Sequence, residues 1–214
     1  MKKALLIVGG IMLSIAFAIA AEQKMEPIKL PAPQMERGKP LMQVLKNRQS
    51  LRNIATDKLP LQELGNVLWA ACGINRPDGK RTAPTASNMQ EIDVYVALPE
   101  CLCLYDAKEH ALIPVLKEDI RPNAGKKDFV QTAPVVLIFT ADFDKMKKYD
   151  DTTRQFYSAT DTGYISQNVY LYCASEDLAT VVIGGVDKPV LQEKMKLRPA
   201  QRVILTQPVG YPAK

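Results

Sequence analysis

Between residues 61 and 72, apolar side chains return every three or four positions, at Leu61, Leu64, Leu68 and Ala71. That spacing predicts a helix with one buried face. Pro60 at its first turn and Gly73 just past its end supply matching boundary signals. "LMQVLKN", 41 to 47, predicts a shorter helix upstream, and Ile165, Val169 and Tyr172 place a long one over about 160 to 175. "IDVYVAL", 92 to 98, alternates Ile92, Val94, Val96 and Leu98 with Asp93, Tyr95 and Ala97, the two-residue period of a strand. "APVVLIFTA", 133 to 141, is apolar almost without a break and predicts a central strand. "CLCLYDAKEHALIPVL", 101 to 116, predicts a hairpin turning near Asp106 to Glu109. "ATVVIGG" reads as a short strand ending in glycines, "KPVLQEKMK" as a surface helix and "QRVILTQPVG" as a closing strand. Helices and strands mix without regular βαβ alternation. The expected class is therefore α+β, a mainly antiparallel central sheet packed by helices.

The N-terminal forty residues carry no such pattern. Lys2 and Lys3 precede an apolar run from Ala4 to Phe17, and Ala18-Ile19-Ala20 is a small-x-small cleavage site. Residues 1–20 thus read as a signal peptide, which places the protein outside the cytoplasm, periplasmic or otherwise extracytoplasmic. Left uncleaved, Ala4 to Ala21 is just long enough to anchor in a bilayer, the one route to membrane contact. Residues 21–40, with four prolines and no period, read as a proline-rich linker, leaving 41–214 as the folded domain.

Charge and cysteine content narrow the chemistry. Without Lys2 and Lys3, 26 basic residues face 23 acidic ones, a balance too weak for a nucleic-acid surface. Cys72 and Cys173 sit in apolar helical patterns, and Cys101 and Cys103 on a strand. Buried free thiols are expected rather than a disulfide framework. One histidine, His110, and no CxxC leave neither a zinc site nor a Ser-His-Asp triad to build, so no metal is expected.

"LKNRQSLRNI", 45 to 54, puts Arg48, Ser50 and Arg52 on one side of any extended segment, two cations flanking a hydroxyl. Two readings stand: a solvated basic turn, or a cradle for a phosphate or other anion, which guanidinium forks bind well.

From about residue 41 to the C-terminus the chain resembles the nitroreductase-like family of FMN-dependent oxidoreductases. "RQSLR" is similar to the family's Arg-x-Ser-x-Arg/Lys signature. "RTAPTASNMQEIDVYV" resembles its Pro-Ser-x-x-Asn-x-Gln segment feeding a strand. "DTGYISQNVYLYCASEDLATVVIGGVD" resembles its central helix and glycine turn, and "QPVGYP" its last strand with a Gly-x-Pro ending. The resemblance implies a homodimer with FMN in a cleft between subunits. Arg48 and Ser50 would hold the phosphate and ribityl chain, Gln49 would add a neutral polar contact, and Arg52 would lie near the N1–C2=O edge. Thr85, Ala86 and Asn88 would reach the flavin from the partner subunit, with Thr85 standing where serine is more usual. For Asn88, turn chemistry before a strand is the competing account. Ile183, Gly184 and Gly185 would pass close to the ring, and many relatives carry an acidic residue where Gly184 stands. Lys214 is the basic residue past Pro212 that would answer to the family's C-terminal phosphate contact. Arg81 is a further candidate near the cofactor, and Asp161, Gln167 and Asn168 would orient the central helix and the dimer contact.

The implied reaction is ping-pong: a small-molecule donor reduces the flavin, then a small organic acceptor, nitro or quinone-like, is reduced in the same space. No catalytic side chain is required. NAD(P)H is the family's kind of donor, yet nicotinamide cofactors are made and recycled in the cytoplasm. Two alternatives follow: a flavin-binding electron carrier docking with a membrane redox partner, and a peptide-modifying dehydrogenase.

Overall fold

Residues 25–214 are described by a computed structural model. Its strands are β1 (Ile28–Lys29), β2 (Ile92–Ala97), β3 (Leu102–Asp106), β4 (Ala111–Leu116), β5 (Val135–Asp142), β6 (Ala179–Thr180) and β7 (Gln201–Gly210). They form one sheet in the order β1-β4-β3-β2-β5-β7-β6, with every pairing antiparallel. The helices are α1 (Leu41–Asn47), α2 (Leu61–Cys72), α3 (Asp128–Gln131), α4 (Asp151–Ser175) and α5 (Lys188–Lys194). This is the α+β arrangement the patterns imply.

β5 shows why its sequence is apolar throughout. It pairs with β2 on one side and β7 on the other, and all eight of its residues are buried. Val135, Leu137, Phe139 and Ala141 face one core with α2 and α4, while Val136 and Ile138 face a second with Leu191 and Met195. Each such large side chain contributes about 1.5–3 kcal/mol by leaving water. β2 is likewise covered on both faces: Ile92, Val94 and Val96 enter the first core, Tyr95 and Ala97 the second.

Three expectations need correction. The long helix begins at Asp151 rather than near 160. Its first turns are polar and show no apolar stripe, so the start is marked only by Asp150, whose carboxylate accepts the Thr153 N–H at 2.7 Å. "ATVVIGG" pairs as a strand only at Ala179–Thr180; beyond it Ile183 forms a single bridge to Thr206. The third correction concerns residues 21–40. From Ile28 onward this segment is not a loose tether. β1 pairs with the otherwise exposed edge of β4, Leu30 is 4% exposed within the main core, and Arg37 forms ion pairs with Glu63 and Glu176. An extended proline-rich chain keeps its non-proline N–H groups, and an open sheet edge offers them acceptors.

His110 helps to hold that strap. The Pro31 carbonyl can only accept, so Nε2 carries the proton and donates to it at 2.9 Å, leaving Nδ1 to accept from the Tyr105 hydroxyl at 3.0 Å. Burial lowers its pKa, in keeping with a neutral structural role. All four cysteines are free and buried, as expected. The expected signal peptide lies outside the described residues.

Candidate functional site

α1 stops at Asn47 because Arg48 leaves the helical region, while its N–H still closes onto the Val44 carbonyl at 2.8 Å. The following run is held by Leu51 N–H donating to Thr180 O, 3.0 Å. Tyr170 organises this corner. Its ring lies 5.3 Å from the Arg48 guanidinium carbon, its hydroxyl shares a 2.9 Å hydrogen bond with Ser50 Oγ, and it accepts the Val182 N–H at 2.8 Å. Ser50 is thereby tied to the residue preceding Ile183, Gly184 and Gly185. Among the described residues no carboxylate pairs with Arg48 or Arg52, and Gln49, Ser50 and Arg52 are exposed. Two guanidinium forks are left uncommitted beside a hydroxyl.

The glycine bend has the right kind of bareness. Ile183 is fixed by reciprocal backbone bonds with Thr206 at 2.7 and 3.1 Å. Neither Gly184 nor Gly185 has positive φ, so no backbone demand selects glycine. A Cβ on Gly185 would meet nothing within 4 Å, and one on Gly184 only Leu205 Cδ2 at 3.7 Å. Packing does not select glycine either. What two glycines accomplish here is an open backbone surface, which a flat ring can approach.

The C-terminus arrives at the same corner. Ala55 N–H donates to Tyr211 O at 2.8 Å and Ala213 N–H to Asn53 O at 3.0 Å, while Asn53 Nδ2 returns a bond to Ala213 O at 2.9 Å. Lys214 is exposed and lies one residue beyond, alongside the stretch that carries Arg52. Gly210 makes this approach feasible, because a Cβ there would sit 2.7 Å from Ile54 Cγ2. The glycine of "QPVGYP" is thus a close-contact requirement.

The Thr85–Gln90 loop is built differently. Thr85 Oγ1 accepts the Gln90 N–H at 3.0 Å, Asn88 Oδ1 accepts from Gln90 Nε2 at 3.2 Å, and Arg81 Nε donates to Gln90 Oε1 at 3.0 Å. Ser87, Asn88 and Gln90 all have positive φ, about 50°, a conformation non-glycine residues hold only when their surroundings impose it. Asn88 therefore does the turn work that was its competing account. Its Nδ2 and the Thr85 hydroxyl proton both remain available to donate outward. Arg81 buttresses the loop from behind. Ala86 N–H donates to Asp161 Oδ2 at 2.8 Å, and Ser87 Oγ meets Tyr149 OH at 3.0 Å.

One protomer does not bring the two regions together. The loop is anchored to α4 at Asp161 and the arginine run at Tyr170, nine residues apart. Nine residues span about 13.5 Å and about two and a half turns, so the anchors lie on opposite sides of the helix axis. Asp161 and Tyr170 mark the two edges of the buried face. The remaining face exposes Phe156, Gly163 and Tyr164, and α1, which packs on α4, exposes Leu41, Met42 and Leu45. A cavity of about 250 Å³ opens among Gln49, Leu51, Tyr170, Asp177 and Pro212. A larger one, about 630 Å³, lies behind the loop between Arg76, Arg81, Tyr105 and Lys108, away from the arginine run.

Sequence reasoning missed Tyr170. It stands off the 165–169–172 stripe, and its one signal was a phenol hydroxyl that needs a partner when buried. It also gave Glu91 no role. Asp161 was expected to orient the central helix and the dimer contact; within one copy its contact is with the Ala86 N–H of the loop.

The profile of the nitroreductase family matches residues 45–211. A protein of Methanocaldococcus jannaschii, named provisionally as a nitroreductase, is 28% identical over 195 residues, covering 86% of this chain and 97% of its own. A crystal structure from Ralstonia eutropha JMP134, also provisionally a nitroreductase, is 40% identical with a TM-score of 0.85, over 91% of this chain and 93% of its own. The NADPH:FMN oxidoreductase of Vibrio harveyi, solved with NAD+, shares the fold at 18% identity and a TM-score of 0.61, over 81% of this chain and 69% of its own.

Proposed function

Because the chain belongs to the nitroreductase family of oxidoreductases, we propose that it is an exported, homodimeric FMN-dependent enzyme. It would pass electrons by a ping-pong route from a small-molecule donor to a small organic acceptor of the nitro or quinone type. The observation that carries this reading is the corner at Tyr170, where Arg48 stacks on the ring, Ser50 shares the hydroxyl and Val182 N–H donates to it just before the bare Gly184–Gly185 backbone, with the unpaired Arg52 two residues beyond Ser50. A group with a phosphate at one end and a flat ring at the other matches that donor set. When bound, FMN would supply the redox chemistry, as a carrier able to accept two electrons from one substrate and give them to another.

The chain's own residues do the rest. Arg48 and Ser50, together with Lys214, would hold the phosphate and ribityl end through charge-assisted bonds. Arg52, with Gln49, places fixed positive potential at the ring edge, which favours added negative charge there. Gly184 and Gly185 keep side chains out of the ring's plane of approach. Thr85, Ala86 and Asn88 come from the second subunit, because α4 holds the loop and the arginine run on opposite sides within one copy. The exposed apolar side chains of α1 and α4 suit that contact. His110 is engaged in structure, so no acid–base side chain is invoked.

The Vibrio harveyi relative makes NADPH and NADH the first donors to try. The chain beginning at Ala21, loaded with FMN, should sediment as a dimer. Its flavin should bleach within seconds of anaerobic mixing with a donor and recolour on adding a nitroaromatic or quinone. A flavin-loaded monomer would overturn the shared site. Bleaching by a membrane quinol system but by no soluble donor would select the electron-carrier alternative.

A further inference from the structure

Among the described residues, the buried polar side-chain atoms without a partner are confined to Glu91, Thr140 and Thr162. Glu91 is the demanding case. It is wholly buried, and neither carboxyl oxygen has a donor. Its backbone is pinned by Asp142 N–H donating to its carbonyl at 2.9 Å, so the side chain cannot swing out to solvent cheaply. Its neighbour is the carboxyl group of Asp161, also buried, whose Oδ2 accepts the Ala86 N–H. Two neighbouring carboxyl groups buried inside a protein share one proton, because two adjacent buried charges are not tolerated. The cation facing Glu91 is Lys145, which is already engaged with Gln90 O at 3.1 Å and Asp93 at 2.9 Å.

We propose that Glu91 is a positioning residue for the Thr85–Asn88 loop. Its protonated carboxyl donates to Asp161, and that bond holds Asp161 on the Ala86 N–H. The loop's hold on the partner subunit's cofactor then follows the proton on Glu91. Burial first, and then the nearness of Asp161, push the Glu91 pKa up to about 7, against the weaker opposing pull of Lys145. In mildly acidic solution the relay Glu91–Asp161–Ala86 is intact. Above neutrality Glu91 ionises, the two carboxylates repel, and the anchor of a conformationally demanding loop loosens. This inference rests on the flavin reading of the loop.

The test separates the two. In flavin-free protein, the infrared carbonyl stretch of a protonated carboxylic acid should be present at pH 5.5, absent at pH 8.5, and missing altogether in Glu91→Gln. In the wild-type dimer the FMN dissociation constant should rise about tenfold over the same interval, the size of one charged hydrogen bond. Glu91→Gln keeps a donor toward Asp161 and should flatten that dependence. Asp161→Asn, which can accept from Ala86 and donate to Glu91, should flatten it too and serves if the first variant fails to fold. A carboxylic acid band unaffected by pH overturns the proposal whatever the flavin does. A band that titrates beside FMN affinity that does not, with Arg48→Ala still weakening FMN, overturns the positioning role and leaves the flavin site standing. No FMN binding at either pH overturns both.

Discussion

The two polar regions that bracket the candidate site are organised in opposite ways. The Arg48–Arg52 run holds itself with backbone bonds and one tyrosine, and leaves its charged groups facing outward. The Thr85–Gln90 loop turns most of its polar groups inward, on Gln90, Gly79 and Asp161, and tolerates three left-handed non-glycine residues in doing so. A surface prepared for an anion needs open donors on a fixed backbone. A loop that, on the proposed reading, meets a ligand held by another subunit needs a fixed shape, and its internal bonds supply it. The difference also places the weak points: ligand charge at the run, and protonation and loop geometry behind the second region.

The largest effect expected breaks the contrast from the loop's side. Carrying Glu91 from its ordinary 4.5 to about 7 means that the ionised residue costs the fold on the order of 3 kcal/mol. Below about pH 4.5 folded and unfolded chains both keep the proton, and the group contributes nothing. Between 4.5 and about 7 the unfolded chain releases it while the folded one does not, so stability falls as pH rises, and it levels off above. Urea unfolding of flavin-free protein at pH 5 and pH 8 should show that loss, and Glu91→Gln should remove most of it. An unchanged pH slope in the variant would assign the loss to other groups.

Arg48→Ala addresses the open side. It removes a charge-assisted bond worth about 1.5–3 kcal/mol and should weaken FMN ten- to a hundredfold or so, while riboflavin, lacking the phosphate, changes much less. Arg52→Ala should instead lower the flavin's midpoint potential with little phosphate discrimination. Equal losses for FMN and riboflavin in both variants would mean that the run is only a basic surface.

The sequence revealed one side of this contrast better than the other. Arg48, Ser50 and Arg52 were legible because alternation on an extended segment is a local rule, and so were β5 and α2, whose apolar spacing is set by burial of their own faces. The anchors were not. Tyr170 and Asp161 act on segments 120 and 75 residues away, and no local period records such pairings. The first turns of α4 were missed because a solvated polar turn carries no stripe, and β1 because a two-residue edge strand among prolines looks like a linker. The glycines at 184 and 185 were legible as a bend. That they are required neither by φ nor by packing needed coordinates.

Tyr170→Phe sharpens the comparison at the run's one inward bond. The change deletes the hydroxyl joining Ser50 to the Val182 N–H but keeps the ring under Arg48. It should cost about 1 kcal/mol in stability. FMN binding should fall severalfold, because Ser50 and the bend lose their common support, while the loop's pH response stays intact. Loss of that pH response in Tyr170→Phe would show the two regions to be coupled through α4 within one subunit.

The smallest effect on the fold is the most discriminating for the site. Gly185 has no positive φ, and a Cβ built there touches nothing within 4 Å. Gly185→Ala therefore introduces neither strain nor clash. It also reduces the freedom of the unfolded chain, an effect of about 0.4–1 kcal/mol in favour of the folded state. The melting temperature of flavin-free protein should stay level or rise slightly. If the bare backbone is where a flat ring lies, the added methyl, or the larger side chain of Gly185→Val, occupies that approach. FMN affinity should then drop with each step in size while the apo-protein remains intact. A matched loss of stability and affinity would trace the effect to folding. Undiminished FMN binding in Gly185→Val would place the ring elsewhere, and the openness of the bend would then have no bearing on the cofactor.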